Sequence, residues 1–224
     1  MLTPNRRVEG LQWVILAAML AAAAWVWPSA PDRIPVHWNI AGEPDRYGGK
    51  VEGLLLVPLL AMGLYVLLRV LPRFDPARDR YARFQGAYDT LRVGILAVMA
   101  AVYAVIVLWV VGRPVDVGLV VGTAVGVLMA LLGWIMPRLE PNWFVGIRTP
   151  WTLSSPTAWQ RTHAAGRPVF MLLGGLMILA GWLKAAWAFG VMLGGLLVGT
   201  LALVAYSYVV WRDAPDRVPP GGAG

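Results

Sequence analysis

The sequence predicts an all-α integral membrane protein: a bundle of six transmembrane helices with an extracytoplasmic cap between spans one and two and a cytoplasmic interfacial helix between spans four and five. Three observations predict it. Of 224 residues, 58% are hydrophobic and only 14% charged, against roughly a quarter charged in an average soluble domain, and mean hydropathy is +0.64. The apolar residues come in blocks of about twenty, the length that crosses a hydrocarbon core of ~30 Å as a helix. Polar residues are gathered between the blocks and do not alternate within them, as the amphipathic elements around a soluble core would require.

The blocks read as spans are 11–27, 53–71, 93–111, 117–136, 169–183 and 186–210. Each must be helical, because inside lipid a helix satisfies its backbone N–H and C=O groups within one segment. The first block follows Arg6 and Arg7 but exceeds the ~7 to 15 apolar residues of a signal peptide and ends in Trp-Pro-Ser-Ala-Pro, so it is read as a retained helix. The fifth is the shortest. This divides the chain into an N-terminal membrane region (1–111, spans one to three, with the exterior loop 28–52), a C-terminal one (112–212, spans four to six, with the cytoplasmic loop 137–168) and a disordered tail (213–224).

Basic residues near span ends stay in the cytoplasm, and the count is lopsided. With the N-terminus inside, 14 of the 19 Lys and Arg residues face the cytoplasm, and Arg33, Arg46, Lys50, Arg113 and Lys184 face outward. Both termini are therefore expected in the cytoplasm. Trp13, Trp25, Trp27, Trp109, Trp134, Trp182, Trp187 and Trp211 lie near span ends, where an indole keeps its ring in the interface and its N–H wet. The net charge of +7 is dispersed over loops beside spans. It suits anionic lipid headgroups and not a nucleic-acid face.

Gly118, Gly122 and Gly126 in span four, and Gly190, Gly194, Gly195 and Gly199 in span six, form small-residue ridges for close helix approach. No Asp, Glu or His falls deep inside a predicted span, and Arg69, Arg92 and Lys184 are expected to snorkel to span ends. Ion-coupled transport is thereby disfavoured. The absence of cysteine removes disulfide, thiolate and sulfur redox chemistry. The two histidines, His37 and His163, fall on opposite faces, so they share neither a metal nor a catalytic pair. No metal or other cofactor is expected.

In the exterior loop, Pro28, Pro31, Pro35 and Pro44 forbid a regular helix. Ile34, Val36 and Trp38 alternate with Pro35, His37 and Asn39 as one short strand with an apolar face, and Gly42, Gly48 and Gly49 supply turns. In the cytoplasmic loop, Ser154 or Ser155 caps a helix with Pro156 in its first turn. Gly166 and Pro168 end it after about ten residues, and it is expected to lie flat on the inner membrane face. Trp159 and His163 share one face of that helix. Upstream, Arg148, Thr149, Pro150 and Trp151 form an elbow whose guanidinium suits a carboxylate, a helix C-terminus or a phosphate.

These residues carry a resemblance. Asn142, Gly146, Ile147, Arg148, Thr149, Pro150, Trp151, Thr152 and Leu153, followed by Trp159, Thr162, His163 and Gly166, resemble the N-x-x-x-G-[IL]-R-T-P-W-T-L and W-x-x-T-H-x-x-G hallmark of the SdpI-type immunity protein family. Pro31, Ile34, Pro35, His37, Trp38, Asn39, Gly42, Pro44 and Asp45 are similar to the signature of the uncharacterised domain usually found at the N-terminus of these proteins. The resemblance implies a polytopic plasma-membrane protein that protects its producer against a secreted toxic peptide and reports toxin capture to a cytoplasmic regulator. The candidate ligand-binding residues are His37, Trp38, Asn39, Glu43 and Asp45. The candidate structural or signalling motif is Asn142, Gly146, Arg148, Thr149, Pro150, Trp151, Trp159, Thr162 and His163. Two alternatives stand behind this reading: a membrane enzyme using Arg148, Thr149 and His163 on a lipid or peptide, and a small transporter. The enzyme stands well behind because the sequence offers no triad, carboxylate pair or nucleophile elbow, and the transporter comes third for want of charge within the spans.

Overall fold

The computed structural model describes residues 5–183 and 186–218, without the side chains of 186–189. Lys184 and the ring of Trp187 lie outside the described residues. The elements are α1 (Arg6–Val26), a hairpin of β1 (Ile34–Trp38) and β2 (Pro44–Gly48), α2 (Lys50–Val70), α3 (Gln85–Val110), α4 (Val117–Ile135), the single turn α5 (Pro150–Leu153), α6 (Pro156–Leu183) and α7 (Ala186–Arg212). Six of the helices are long and apolar enough to cross a membrane, and the protein is a multi-pass membrane bundle. The hairpin sits at one end. Residue 5, the segments 71–84 and 136–155, and residues 213–218 meet at the other, here termed the loop end.

Helices α1, α2 and α3 enclose one core, in which Leu16, Met19, Ala23, Leu54, Ala61, Leu96 and Tyr103 are buried. α3 also packs on α4, α4 on α6 and α6 on α7, so α3 joins the two regions. A second cluster, Tyr81, Phe84, Tyr88, Leu91, Ile135, Leu139 and Trp159, fills the loop end. Large apolar side chains point outward all round, including Trp25 and Trp182 at 70% and 66% exposure. Lipid is the medium that suits such a surface.

The glycine ridge of α4 is a backbone seam. A β-carbon on Gly126 would stand 2.7 Å from the Gly174 carbonyl oxygen, and one on Gly174 would stand 2.7 Å from the Ala130 nitrogen. Gly122 faces Gly181 and Gly133 faces the Arg167 carbonyl in the same way. Without a hydrophobic drive between helices in lipid, this close van der Waals approach is what holds α4 to α6. Gly126→Leu is expected to separate them, lowering the melting temperature in detergent strongly, while Gly190→Leu, where nothing lies within 4 Å, leaves it unchanged. Equal melting of both variants would refute the seam. The ridge expected on α7 is only half used: Gly195 and Gly199 meet Leu173 and Val169, whereas Gly190 and Gly194 face open space.

Three expectations need correction. The flat ten-residue helix does not exist as a separate element, because α6 runs unbroken through Gly166 and Pro168 to Leu183. Gly166 is not a left-handed stop; its bare face admits Met136, Ile147 and Leu203. Pro168 removes one backbone donor, a loss that transmembrane helices absorb through neighbouring elements. Arg92 does not snorkel. α3 starts at Gln85 rather than at 93, which brings Asp89 and Arg92 inside the helix. The Arg92 side chain is 7% exposed, with Nη2 2.8 Å from Glu9 Oε1 and Nη1 3.2 Å from Asp89 Oδ1. Glu9 also accepts from the Tyr65 hydroxyl at 2.8 Å and from Arg69. A charged network thus ties α1, α2 and α3 near the loop end. Finally, the exterior segment holds two strands, not one.

Candidate functional site

The hairpin is antiparallel, with irregular register around His37. Its turn is built by Asn39, whose Oδ1 accepts from the Ala41 and Glu43 N–H groups at 2.9 and 3.0 Å and whose Nδ2 donates to Glu43 Oε2 at 3.4 Å. Gly42 then takes φ +79°, a left-handed conformation that other residues adopt at a cost. Ile34 and Pro35 are buried, and a β-carbon on Gly53 would meet Ile34 at 2.8 Å, so the strand is pressed against the start of α2. Trp38 packs on the core of the N-terminal region. What points away is the pair His37–Asp45, Nδ1 to Oδ1 at 2.6 Å, with side chains 62% and 42% exposed.

The five candidate ligand residues therefore share one hairpin but do different work. Trp38 and Asn39 secure it; His37, Glu43 and Asp45 present polar atoms outward. Among the described residues no group of three or more His, Cys, Asp or Glu side chains converges as a metal site would need.

At the loop end the motif forms a braced knot. Asn142, 1% exposed, accepts from the Phe144 and Val145 N–H groups at 3.0 and 2.7 Å and donates to the Glu140 and Val145 carbonyls at 2.9 and 3.0 Å. The amide thus folds its own loop, and its Oδ1 also lies 3.4 Å from the Tyr81 hydroxyl of the α2–α3 connection. The chain then turns at Gly146, φ +112°, and the Ile147 N–H donates to His163 Nε2 at 2.9 Å. His163 Nδ1 donates to the Trp159 carbonyl at 2.8 Å. One nitrogen accepting and one donating fixes a neutral imidazole with its proton on Nδ1. The ring is fully buried and stacked on Trp159 at 4.1 Å, and the Trp159 indole N–H reaches the Leu139 carbonyl at 2.7 Å.

Thr149 caps α5 in a reciprocal capping box with Thr152, after which Pro150 begins the turn. Its hydroxyl also meets Ser207 of α7 at 3.0 Å, and Trp151 packs edge-on to Tyr208 at 5.2 Å. Arg148 donates to the Trp143 carbonyl within its own loop. The whole motif except Thr162 is accounted for by such bonds and ring contacts; the Thr162 hydroxyl is buried with no partner. His163, the base that the enzyme alternative would use, has both ring nitrogens taken.

Sequence reasoning missed the residues that hold the knot from outside. Asp75, 2% exposed, accepts from the Ala77 N–H at 2.7 Å, the Tyr81 hydroxyl at 2.9 Å and the Trp143 N–H at 3.0 Å, pinning the α2–α3 connection to the motif loop. Burial and the Asp75 acceptor push the Tyr81 hydroxyl far above the ordinary phenol range, so it stays a donor. Arg80 adds a bond to the Pro141 carbonyl at 3.0 Å. From the tail, Asp216 accepts from Ser155 Oγ at 2.5 Å and from the Thr157 N–H at 2.9 Å, the first of these holding its carboxyl below its usual range. The Val218 N–H bonds the Ser154 carbonyl at 3.0 Å, so residues 213–218 of the supposed tail are docked; 219–224 lie outside the described residues. An aspartate followed by proline at 75–76, and two aspartates in the short tail, were the only signals.

Comparison with known proteins now bears on this geometry. Residues 138–210 match the model of the SdpI/YfhL protein family. The C-terminal region is SdpI-like. The match covers the braced knot, α6 and nearly all of α7, and residues 14–62, with the later part of α1, the hairpin and the first part of α2, match a domain of unknown function, DUF1648. The chain is 21% identical over 197 residues to the immunity protein SdpI of Bacillus subtilis (strain 168), an alignment covering 86% of this chain and 92% of that protein. No solved structure matches it.

Proposed function

We propose that this protein is a membrane immunity protein that protects its host against a secreted toxic peptide, with the hairpin outside as the capture surface and both termini in the cytoplasm. The observation that carries the reading is the His37–Asp45 pair, exposed on a hairpin otherwise fastened to the bundle. A rigid mount with a few polar atoms at its tip suits recognition of a peptide. The similarity to an immunity protein over most of both chains supports the function. The orientation is supported by the concentration of arginines at the loop end, among them Arg73, Arg78, Arg80, Arg83, Arg138, Arg148 and Arg161.

In this reading the knot of Asn142, Gly146, Arg148, Thr149, Pro150, Trp151, Trp159, Thr162 and His163 is the inward-facing lock. Capture outside shifts a two-state packing of the bundle, and the knot presents the change to a cytoplasmic regulator. The test is survival of a sensitive bacterial host challenged with a panel of membrane-active peptides. Expression of the native chain is expected to raise survival, and His37→Ala with Asp45→Ala to abolish the gain at an unchanged level of protein in the membrane. Killing curves that do not respond to the native chain would remove the proposal.

A further inference from the structure

We propose that residues 213–218 are a releasable strap, which closes on the start of α6 and opens while the knot beside it stays shut. The closed position is built from named bonds. After α7 ends at Arg212 the chain folds back, and Pro215 forbids it from continuing the helix. Asp216 reaches the N-terminus of α6, where one carboxylate oxygen accepts from Ser155 Oγ at 2.5 Å and the other from the Thr157 N–H at 2.9 Å and the Thr157 hydroxyl at 2.8 Å. The Val218 N–H donates to the Ser154 carbonyl at 3.0 Å, and the Arg217 guanidinium lies 5.8 Å from the centre of the Trp211 ring. The strap thus joins the end of α7 to the first turn of the helix that carries Trp159, Thr162 and His163.

Strap and knot are fastened differently. In the knot Asn142, Thr149, Thr152, Trp159, Thr162 and His163 are all buried. Of residues 213–218 only Ala214 is buried, and Val218 is 50% exposed. Both bonds that Asp216 takes from Thr157 are exposed to solvent, so water replaces them on opening at little net cost. A segment held by a few exposed polar bonds, with almost no apolar burial, opens locally at a small fraction of the free energy of global unfolding. The Ile147 N–H, by contrast, ends on a buried imidazole. Release leaves α5 tied to α7 through Thr149–Ser207 and Trp151–Tyr208, and it takes the anion away from the first turn of α6. The purpose of the device rests on the switch reading above: the strap, not the knot, is the part of the loop end that moves.

The experiment is residue-resolved hydrogen exchange of the full chain in detergent with no peptide added, so its outcome does not depend on the survival assay. Corrected for intrinsic rates, the Thr157 and Val218 amides are expected to exchange at least tenfold faster than those of Ile147 and Trp159. Trp159 is the control on the same helix, since its N–H is bonded to the Ser155 carbonyl at 2.9 Å and not to the strap. Asp216→Ala is expected to speed Thr157 and Val218 a further fivefold or more, with Ile147, Trp159 and the melting temperature unchanged. Equal protection of the four amides in the native chain overturns the proposal, because the strap would then open only with the knot. So does a variant in which Trp159 speeds up with Thr157, which is fraying of α6, or one that fails to fold, since a strap that opens first cannot be what holds the fold. A strap that opens as expected in a chain that gives no protection removes the switch and keeps the device.

Discussion

Replacing Gly146 by valine is expected to undo the knot at the loop end. The residue holds φ +112°, where a β-branched side chain is a steric outlier, and its β-carbon would collide with His163 Nε2 and stand 3.3 Å from the Trp159 ring. The atom it strikes belongs to a ring that is bonded at both nitrogens and buried against an indole, so there is nowhere for it to retreat. Backbone strain of ~1–2 kcal/mol and overpacking of ~1–3 kcal/mol give a loss of roughly 2–5 kcal/mol. The measurement is thermal unfolding in detergent followed by tryptophan fluorescence, since Trp159 reports the site directly. A variant that melts with the native protein would show that the Gly146–His163 contact is not a constraint. Gly42→Val, at φ +79° with open space around it, carries the strain without the collision and should cost less.

Glu9→Gln is expected to have the second large effect. Glu9 receives Arg69, Arg92 and the Tyr65 hydroxyl, and its removal leaves Arg92 buried with Asp89 as its only carboxylate. Breaking a buried pair by deleting one partner costs about 3–5 kcal/mol, because the surviving charge has been taken out of water without compensation. With a conversion of roughly 2–4 °C per kcal/mol for a chain of this size, the melting temperature should fall by about 6–20 °C. The control is Arg46→Gln, which breaks a pair whose side chains are 59% and 36% exposed and should cost less than ~1 kcal/mol. If the two variants melt alike, the network near the loop end does not hold α1, α2 and α3 together.

Much of the architecture was legible because bilayer thickness imposes a length on every apolar block, and six such blocks could be counted. The ends of the spans were not. The hydrophobic block of α3 begins at Val93, but its helix begins at Gln85, since a polar turn continues a helix when its charges find partners on neighbouring helices. Arg92 looked like a snorkelling residue for the same reason: its partner Glu9 is 83 residues away in sequence. Gly166 and Pro168 read as a stop because local chemistry favours one there; tertiary packing against Met136 and Leu203 overrode it. β2 was invisible because Asp45, Arg46 and Tyr47 show no alternation of burial. In the knot, motif spacing placed Trp159 and His163 on one face, but the clasp from Asp75 depends on contacts that no local pattern announces.

The unbroken course of α6 sets the length of the chain between knot and seam. His163 and Gly174 are eleven residues apart, roughly three turns at 3.6 residues per turn, so both point from the rod in nearly the same direction. Adding or removing one residue between them would turn one by about 100° relative to the other. Either His163 would swing away from the Ile147 N–H or the Gly126–Gly174 contact would be replaced by a side chain on backbone. The two halves of this helix are geared to each other, and any homologous design that exchanges the loop-end motif between chains must preserve its phase with the glycine seam.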